Sequence, residues 1–181
     1  MNMVDKEKLA EAKVSLPELG ADQVLVKVAA TSINPIDWKL REGYLKQMFP
    51  WSFPIILGWD VAGEIVEVGQ KVKDYHVGDR IFARPETTRF GTYADYTIVD
   101  SNLLAPVPES IAFTEAAAVP LAGLTALQAL FDHGSLKAGE KVLIHAGAGG
   151  VGTYAIQLAK NAGAYAHHDG KVPVIMNLLK N

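Results

Sequence analysis

Gly147, Gly149 and Gly152 stand in the order G-x-G-x-x-G within Gly147-Ala148-Gly149-Gly150-Val151-Gly152, a spacing able to hold a pyrophosphate. The first glycine permits a tight turn. The second lets backbone approach the phosphates with no Cβ between, and the third lets a helix pack close to a strand. A helix starting there adds free N–H groups and the positive end of its dipole. Glycines cluster in many turns, so the pattern acquires meaning from its flanks. Lys141 to Ala146 reads as a short apolar strand. Beyond the glycines, Ala155, Leu158, Ala159 and Ala162 recur at helical spacing as far as Gly163. The competing reading is a tight strand-to-helix turn without a ligand.

Other chemistry is sparse. There are no cysteines, which excludes disulfides, thiolate zinc sites and cysteine nucleophiles. His145 enters the glycine segment as a core or rim residue, and His76 and His133 lie near turns. His167-His168-Asp169 reads as a solvated tail in preference to a metal site. A dinucleotide fold places an acidic residue for the ribose, or a basic one for a 2′-phosphate, about 20 residues past its glycines. Asp169 and Lys171 are the residues available there.

The elements that must carry these groups differ along the chain. Val24–Ala30, Gly58–Val68, Arg80–Ala83 and Tyr93–Val99 read as strands separated by Gly and Pro turns, which suggests a small barrel or sandwich. In the last strand Ala94, Tyr96 and Ile98 are expected on one face, Asp95 and Thr97 on the other. Thr114 is the expected N-cap of a helical turn. Pro120 kinks or restarts that turn, and Leu121 to His133 forms a helix ended by Gly134. A boundary between β and α/β segments falls around residues 106–120.

Composition is that of a globular protein, 49% hydrophobic and 20% charged over 181 residues. Net charge is 17 − 20 = −3, so no basic excess is present for nucleic acid. The stretch from Ile111 to Phe131 is interrupted by Glu115, Pro120, Thr125 and Gln128 and reads as buried helix, not as a membrane span. Met1 to Lys8 lacks the apolar core of a signal peptide, which makes a cytosolic address the expectation.

Six ordered blocks together resemble the medium-chain dehydrogenase/reductase superfamily, specifically its zinc-independent quinone oxidoreductase branch. They are Ser32-Ile33-Asn34-Pro35-Ile36-Asp37 with Lys39, Arg41 and Gly43; Gly58-Trp59-Asp60-Val61-Ala62-Gly63 running on to Gly69; Gly78-Asp79-Arg80; Gly91-Thr92-Tyr93-Ala94-Asp95-Tyr96; Leu121-Ala122-Gly123-Leu124-Thr125-Ala126; and Ala146 to Gly152 followed by Ala155, Gln157, Leu158 and Ala159. Coverage is about residues 12–166.

The resemblance implies a mixed β and α/β fold. Residues 1–115 would be a GroES-like β-barrel domain, 116–166 an incomplete Rossmann segment, and 167–181 a tail. It implies NADPH as cofactor and hydride transfer to a quinone or enone. Asn34 would lie near the nicotinamide, Tyr44 in the substrate cleft, and Thr125 near the nicotinamide end. Gly147, Gly149, Gly150, Val151 and Gly152 would form the pyrophosphate loop. Each of the three side chains also has a plainer reading: Asn34 as the cap of a turn, Tyr44 as a surface aromatic, Thr125 bonded within its helix. Zinc relatives use Cys, His and Glu, whereas this chain has Gly58-Trp59-Asp60, so no zinc is expected. Asp37 and Asp60 read as structural.

The chain departs from the family after Gly163, where a Rossmann domain continues through further strands. Met1 to Glu11 is charged and unlike the family's opening strand. The tail is either a closing strand returning to the β domain or unrelated sequence. With only one strand and one helix complete, Leu143 and Ile156 are expected bare, which points to homo-oligomerisation. Two functions follow: an NADPH-dependent quinone or enone reductase impaired by its missing strands, or a non-catalytic, self-associating GroES-like module.

Overall fold

The computed structural model describes residues 9–169 and the backbone of 176–179. It divides into two compact units, one running to Pro120 and one from Leu121. Residues 9–20 carry no helix or strand. The first unit is built on β1 (Gln23–Ala30), β2 (Val61–Val68), β3 (Arg80–Ala83), β4 (Tyr96–Asp100) and β5 (Leu104–Pro106). They pair antiparallel in the order β4-β1-β2-β3-β5. Val24, Val26, Val61, Ile65, Ile81, Ala83 and Val99 bury one face of this sheet. β-branched side chains dominate that list because they suit a half-buried pleated surface.

The alternation expected in the fourth strand is present, and its buried face is the one that carries Thr97. Thr97 and Val99 are buried and Tyr96 is exposed. Pairing with β1 sets the phase, since Val99 lies opposite Val24 and Thr97 opposite Val26. Cross-strand partners share a face, so the buried valines of β1 draw Val99 and Thr97 inward. The strand also begins at Tyr96; Thr92 and Tyr93 spend their N–H groups on the carbonyls of Gly58 and Leu57.

Helix α1 (Pro35–Arg41) follows Asn34, and α2 (Phe113–Ala116) packs over the sheet through a cluster of Ala62, Val107, Ala116 and Ala117. The cap of α2 is Ala112, not Thr114. Glu115 reaches back to accept from the Ala112 N–H at 2.9 Å, which satisfies a helix-end donor without a hydroxyl.

The second unit opens with α3 (Pro120–Leu127), which Pro120 starts, and continues through a π-helical turn at Gln128–His133. Gly134 ends the helix in a right-handed conformation, and Ser135 takes the left-handed one at φ 50°. β6 (Lys141–Ile144), α4 (Gly150–Asn161) and β7 (Tyr165–His168) form a parallel βαβ unit. Ala126, Leu130, Leu136, Val142, Ile144, Ala155 and Ala159 bury its core. Leu143 and Ile156, expected bare, are half-buried, and Ile156 packs against that core.

The tail stretch from Asp169 to Met176, expected either as a closing strand or as unrelated sequence, lies largely outside the described residues. β8 (Met176–Leu179) lies antiparallel along β6, with Lys141 opposite Leu179 and Ile144 opposite Met176. β7 covers only one edge of β6. The other edge carries ladder donors and acceptors that a further strand satisfies, and β8 supplies it.

Candidate functional site

The glycine loop lies in the second unit. β6 ends at Ile144, and Ala146 turns the chain with a left-handed backbone at φ 54°. The Gly149 N–H then donates to the Ala146 carbonyl at 2.9 Å, and α4 starts at Gly150 with Gly149 as a cap that has no side chain to offer. The first N–H groups of the helix have no intrahelical acceptor by position. The glycines differ in what they permit. A Cβ on Gly152 would stand 2.2 Å from the Ala146 carbonyl oxygen, so this position carries the close contact between loop and helix. Among the described residues, a Cβ on Gly149 would meet only that same oxygen, at 3.3 Å, and on Gly150 only the Ala122 methyl, at 3.8 Å. Space over the second glycine is therefore left open by the described residues. Bare backbone, unspent N–H groups and open space suit the pyrophosphate of a dinucleotide, and the residues present fit that group.

Thr125 sits in α3, one turn after Ala122, whose methyl lies 3.8 Å from where a Cβ on Gly150 would stand. It is exposed and its hydroxyl donates to the Leu121 carbonyl at 2.7 Å. His145 and Asp169 form a contact sequence reasoning did not assemble. Asp169 follows β7 and grips the loop three ways. Its Oδ1 accepts from the Ala146 N–H at 2.9 Å, its carbonyl from the Gly147 N–H at 2.6 Å, and its Oδ2 lies 2.7 Å from His145 Nδ1. The parallel register that sets His168 beside Ile144 brings it there.

A second polar cluster lies in the first unit, around Asn34. Its backbone is extended, as an N-cap requires, and Pro35 opens α1. The Asn34 N–H donates to Asp37 Oδ2 at 2.6 Å, closing the first turn. The side-chain amide donates to Asp60 Oδ2 at 2.7 Å and Ser32 Oγ at 3.1 Å. Ser32 Oγ itself donates to Asp60 Oδ2 at 2.5 Å, and Thr31 Oγ1 to the Asp60 carbonyl at 2.7 Å. Both carboxylates are buried, Asp37 at 3% and Asp60 at 1% exposure. Gly58 holds a left-handed backbone at φ 88°, and the Tyr93 ring lies where its Cβ would be. That approach lets the Tyr93 hydroxyl donate to Asp37 Oδ2 at 2.8 Å.

Burial pushes the Asp37 carboxyl above its ordinary value; its hydrogen bonds from Asn34 and Tyr93 oppose this, and the charge of Asp60 adds to it. The Tyr93 phenol is pushed upward as well, chiefly by burial and then by its bond to Asp37. The arrangement fixes which way the Asn34 amide faces, because its NH₂ is spent on Asp60 and Ser32. Asp37 and Asp60, read from sequence as structural, thus hold Asn34 from backbone and side chain.

Trp59 is fully buried and donates to the Thr88 carbonyl at 3.2 Å, so the middle of Gly58-Trp59-Asp60 belongs to a core with Leu40 and Leu57. Among the described residues no group of three or more metal-ligating side chains converges. Tyr44 is 71% exposed and packs edge-on against Trp38, ring centroids 5.8 Å apart.

Residues 20–109 match the alcohol dehydrogenase GroES-like domain. The chain is 42% identical over 162 residues to a chloroplast envelope quinone oxidoreductase homolog of Arabidopsis thaliana, covering 87% of this chain and 49% of that one. It is 43% identical over 164 residues to the Arabidopsis NADPH-dependent alkenal/one oxidoreductase, covering 87% and 42%. Among solved structures, the quinone oxidoreductase from Coxiella burnetii superposes with a TM-score of 0.78 at 40% identity, over 86% of this chain and 50% of that one. The fold, the glycine loop and these likenesses place the chain in the medium-chain dehydrogenase/reductase superfamily, on its quinone oxidoreductase branch. It spans about half the length of the curated relatives it matches.

Proposed function

We propose that this chain carries the acceptor-side domain and the first nucleotide-binding unit of an oxidoreductase that reduces a quinone or conjugated enone with a nicotinamide dinucleotide. The observation that carries the reading is the open space over Gly149 at the mouth of α4, between a strand and a helix of the right order. NADPH is the cofactor in the name of the Arabidopsis alkenal/one relative, which makes it the first candidate. When bound, such a cofactor supplies a hydride, so neither a protein nucleophile nor a metal is required.

The chain's own residues would bind and orient. The N–H groups of Gly150, Val151 and Gly152 would take the phosphates, and Thr125 would lie toward the nicotinamide end. Asn34, its amide fixed by Asp60 and Ser32, would present a set polar face to the nicotinamide, and Tyr44 would line the acceptor's path. The exposed Leu124, Leu127 and Tyr165 of the second unit support homo-oligomerisation as part of the proposal.

Titration of NADPH into the 181-residue chain, read by cofactor fluorescence, tests the reading. The described second unit has one βαβ crossover, and a full dinucleotide site uses two βαβαβ halves. The expected outcome is saturable binding in roughly the millimolar range, a loss of about three decades or more from a micromolar site. No binding at all would favour the other reading, a GroES-like module that folds without cofactor.

A further inference from the structure

β6 is paired along both edges, and the two edges use different residues. The carbonyls of Glu140 and Ile144 accept from the Tyr165 and Asp169 N–H groups, at 2.8 and 3.3 Å, so both turn their backbone toward β7. Backbone groups alternate in direction along a strand. Val142 therefore faces β7 as well, and the N–H and C=O of Lys141 and Leu143 point to the opposite edge. The register there sets Leu179 opposite Lys141 and Asn177 opposite Leu143. β8 thus meets β6 through the backbone of Asn177 and Leu179, while the N–H of Leu178 points away to the edge of the sheet.

Two features make β8 a cover in place of a nucleotide-fold strand. A doubly wound sheet continues past its first strand with parallel strands, whereas β8 runs antiparallel to β6. β6 itself also carries little that would keep another strand away: Lys141-Val142-Leu143-Ile144 has one charge and no proline, and it pairs with β8 without a bulge. An edge of this composition is able to pair with its own copy. Antiparallel pairing of two β6 strands about a twofold axis sets Lys141 opposite Ile144 and Val142 opposite Leu143. The two lysines then lie at opposite ends, and no like charges face each other.

We infer that the Lys141–Ile144 edge is a self-association surface, complementary to the same edge of a second copy of this chain, and that β8 is the guard strand that occupies it. Freed of β8, the edge leaves backbone donors and acceptors of Lys141 and Leu143 to be satisfied, and a second β6 satisfies them. The inference is independent of the nucleotide reading, since no cofactor enters it. It also concerns a different surface from the exposed Leu124, Leu127 and Tyr165. Association through those side chains leaves the Lys141 and Leu143 amides unchanged.

The test uses the full 181-residue chain and prolines at two neighbouring positions. Asn177→Pro removes a donor aimed at β6; Leu178→Pro removes one aimed away, which an edge strand tolerates. Mass is followed by light scattering across a dilution series, and backbone hydrogen exchange is read at β6. In Asn177→Pro the Lys141 and Leu143 amides should exchange at least about tenfold faster than in the parent when dilute. At high concentration the mass should double relative to the parent and the same amides slow again. Leu178→Pro should match the parent within about twofold. The Val142 and Ile144 amides, which face β7, report that the unit is still folded; if Asn177→Pro opens them as well, Leu179→Pro at the end of the ladder takes its place. Equal effects of the inward and outward prolines, Lys141 and Leu143 amides that open with no rise in mass, or a rise in mass that leaves them open would each overturn the inference.

Discussion

Asp60 holds Asn34 by its side chain: the Asn34 amide donates to Asp60 Oδ2 at 2.7 Å, on a carboxylate that is 1% exposed. Ser32 shares the same oxygen. A buried acceptor serving two donors is costly to delete, since each donor loses its partner away from water. Asp60→Ala is expected to lower stability by about 2 kcal/mol or more. Asp60→Asn, which retains one oxygen, should cost less. Urea denaturation of the two variants checks the order; an Asp60→Ala chain as stable as the parent would refute it.

The pH dependence of stability should carry the mark of Asp37. Its folded carboxyl lies above the ordinary 3.8. The native chain therefore holds this proton more tightly than the unfolded one. The resulting stabilisation is complete below the unfolded value and is lost as pH rises through the folded value. Asp37→Asn should flatten this segment of the stability profile. Tyr93→Phe removes a bond that favours the carboxylate and should shift the segment to higher pH. Denaturation midpoints measured from about pH 3.5 to about pH 7 would show both effects.

Two glycines of the loop should separate folding from binding. Gly152→Ala sets a methyl 2.2 Å from the Ala146 carbonyl and should destabilise the second unit by about 1–3 kcal/mol or more. Gly149→Val meets little protein beyond that oxygen and fills the space left for the phosphates. It should keep the melting transition nearly unchanged and abolish nucleotide binding. A Gly149→Val chain that binds as the parent does would remove the loop from the site.

The first unit should fold by itself, but only if the cut respects α2. Val107, Ala116 and Ala117 close over Ala62, so a chain ending at Pro106 loses that cluster and one ending at Pro120 keeps it. The longer piece is expected to unfold cooperatively and the shorter to be measurably less stable, by circular dichroism melts of both.

Zinc should be absent from protein purified without a histidine tag. Cysteine is missing throughout, and Trp59 fills a core position in the segment where zinc relatives place a ligand. Stoichiometric zinc in elemental analysis would contradict this.

Local chemistry made some of this protein readable from its sequence. The glycine loop is one case: a turn from Ile144 into α4 with a helix packed this close needs a residue without Cβ at Gly152, and that need is met within a few residues of chain. The faces of α4 and β1 are another, because helix and strand periods are properties of consecutive residues. Tertiary structure decided what depends on a partner far along the chain. Which face of β4 is buried follows the valines of β1: Thr97 lies opposite Val26 and turns inward, and Tyr96 turns outward. β8 follows the open edge of β6. Asn34 meets Asp60 across 26 residues, and Tyr93 meets Asp37 across 56. Asp169 was visible as an acid at a suggestive distance from the glycines, but its hold on Ala146 and Gly147 exists only once β7 lies parallel to β6. Side-chain chemistry states what each of these groups can bond; the fold alone brings the partner within reach.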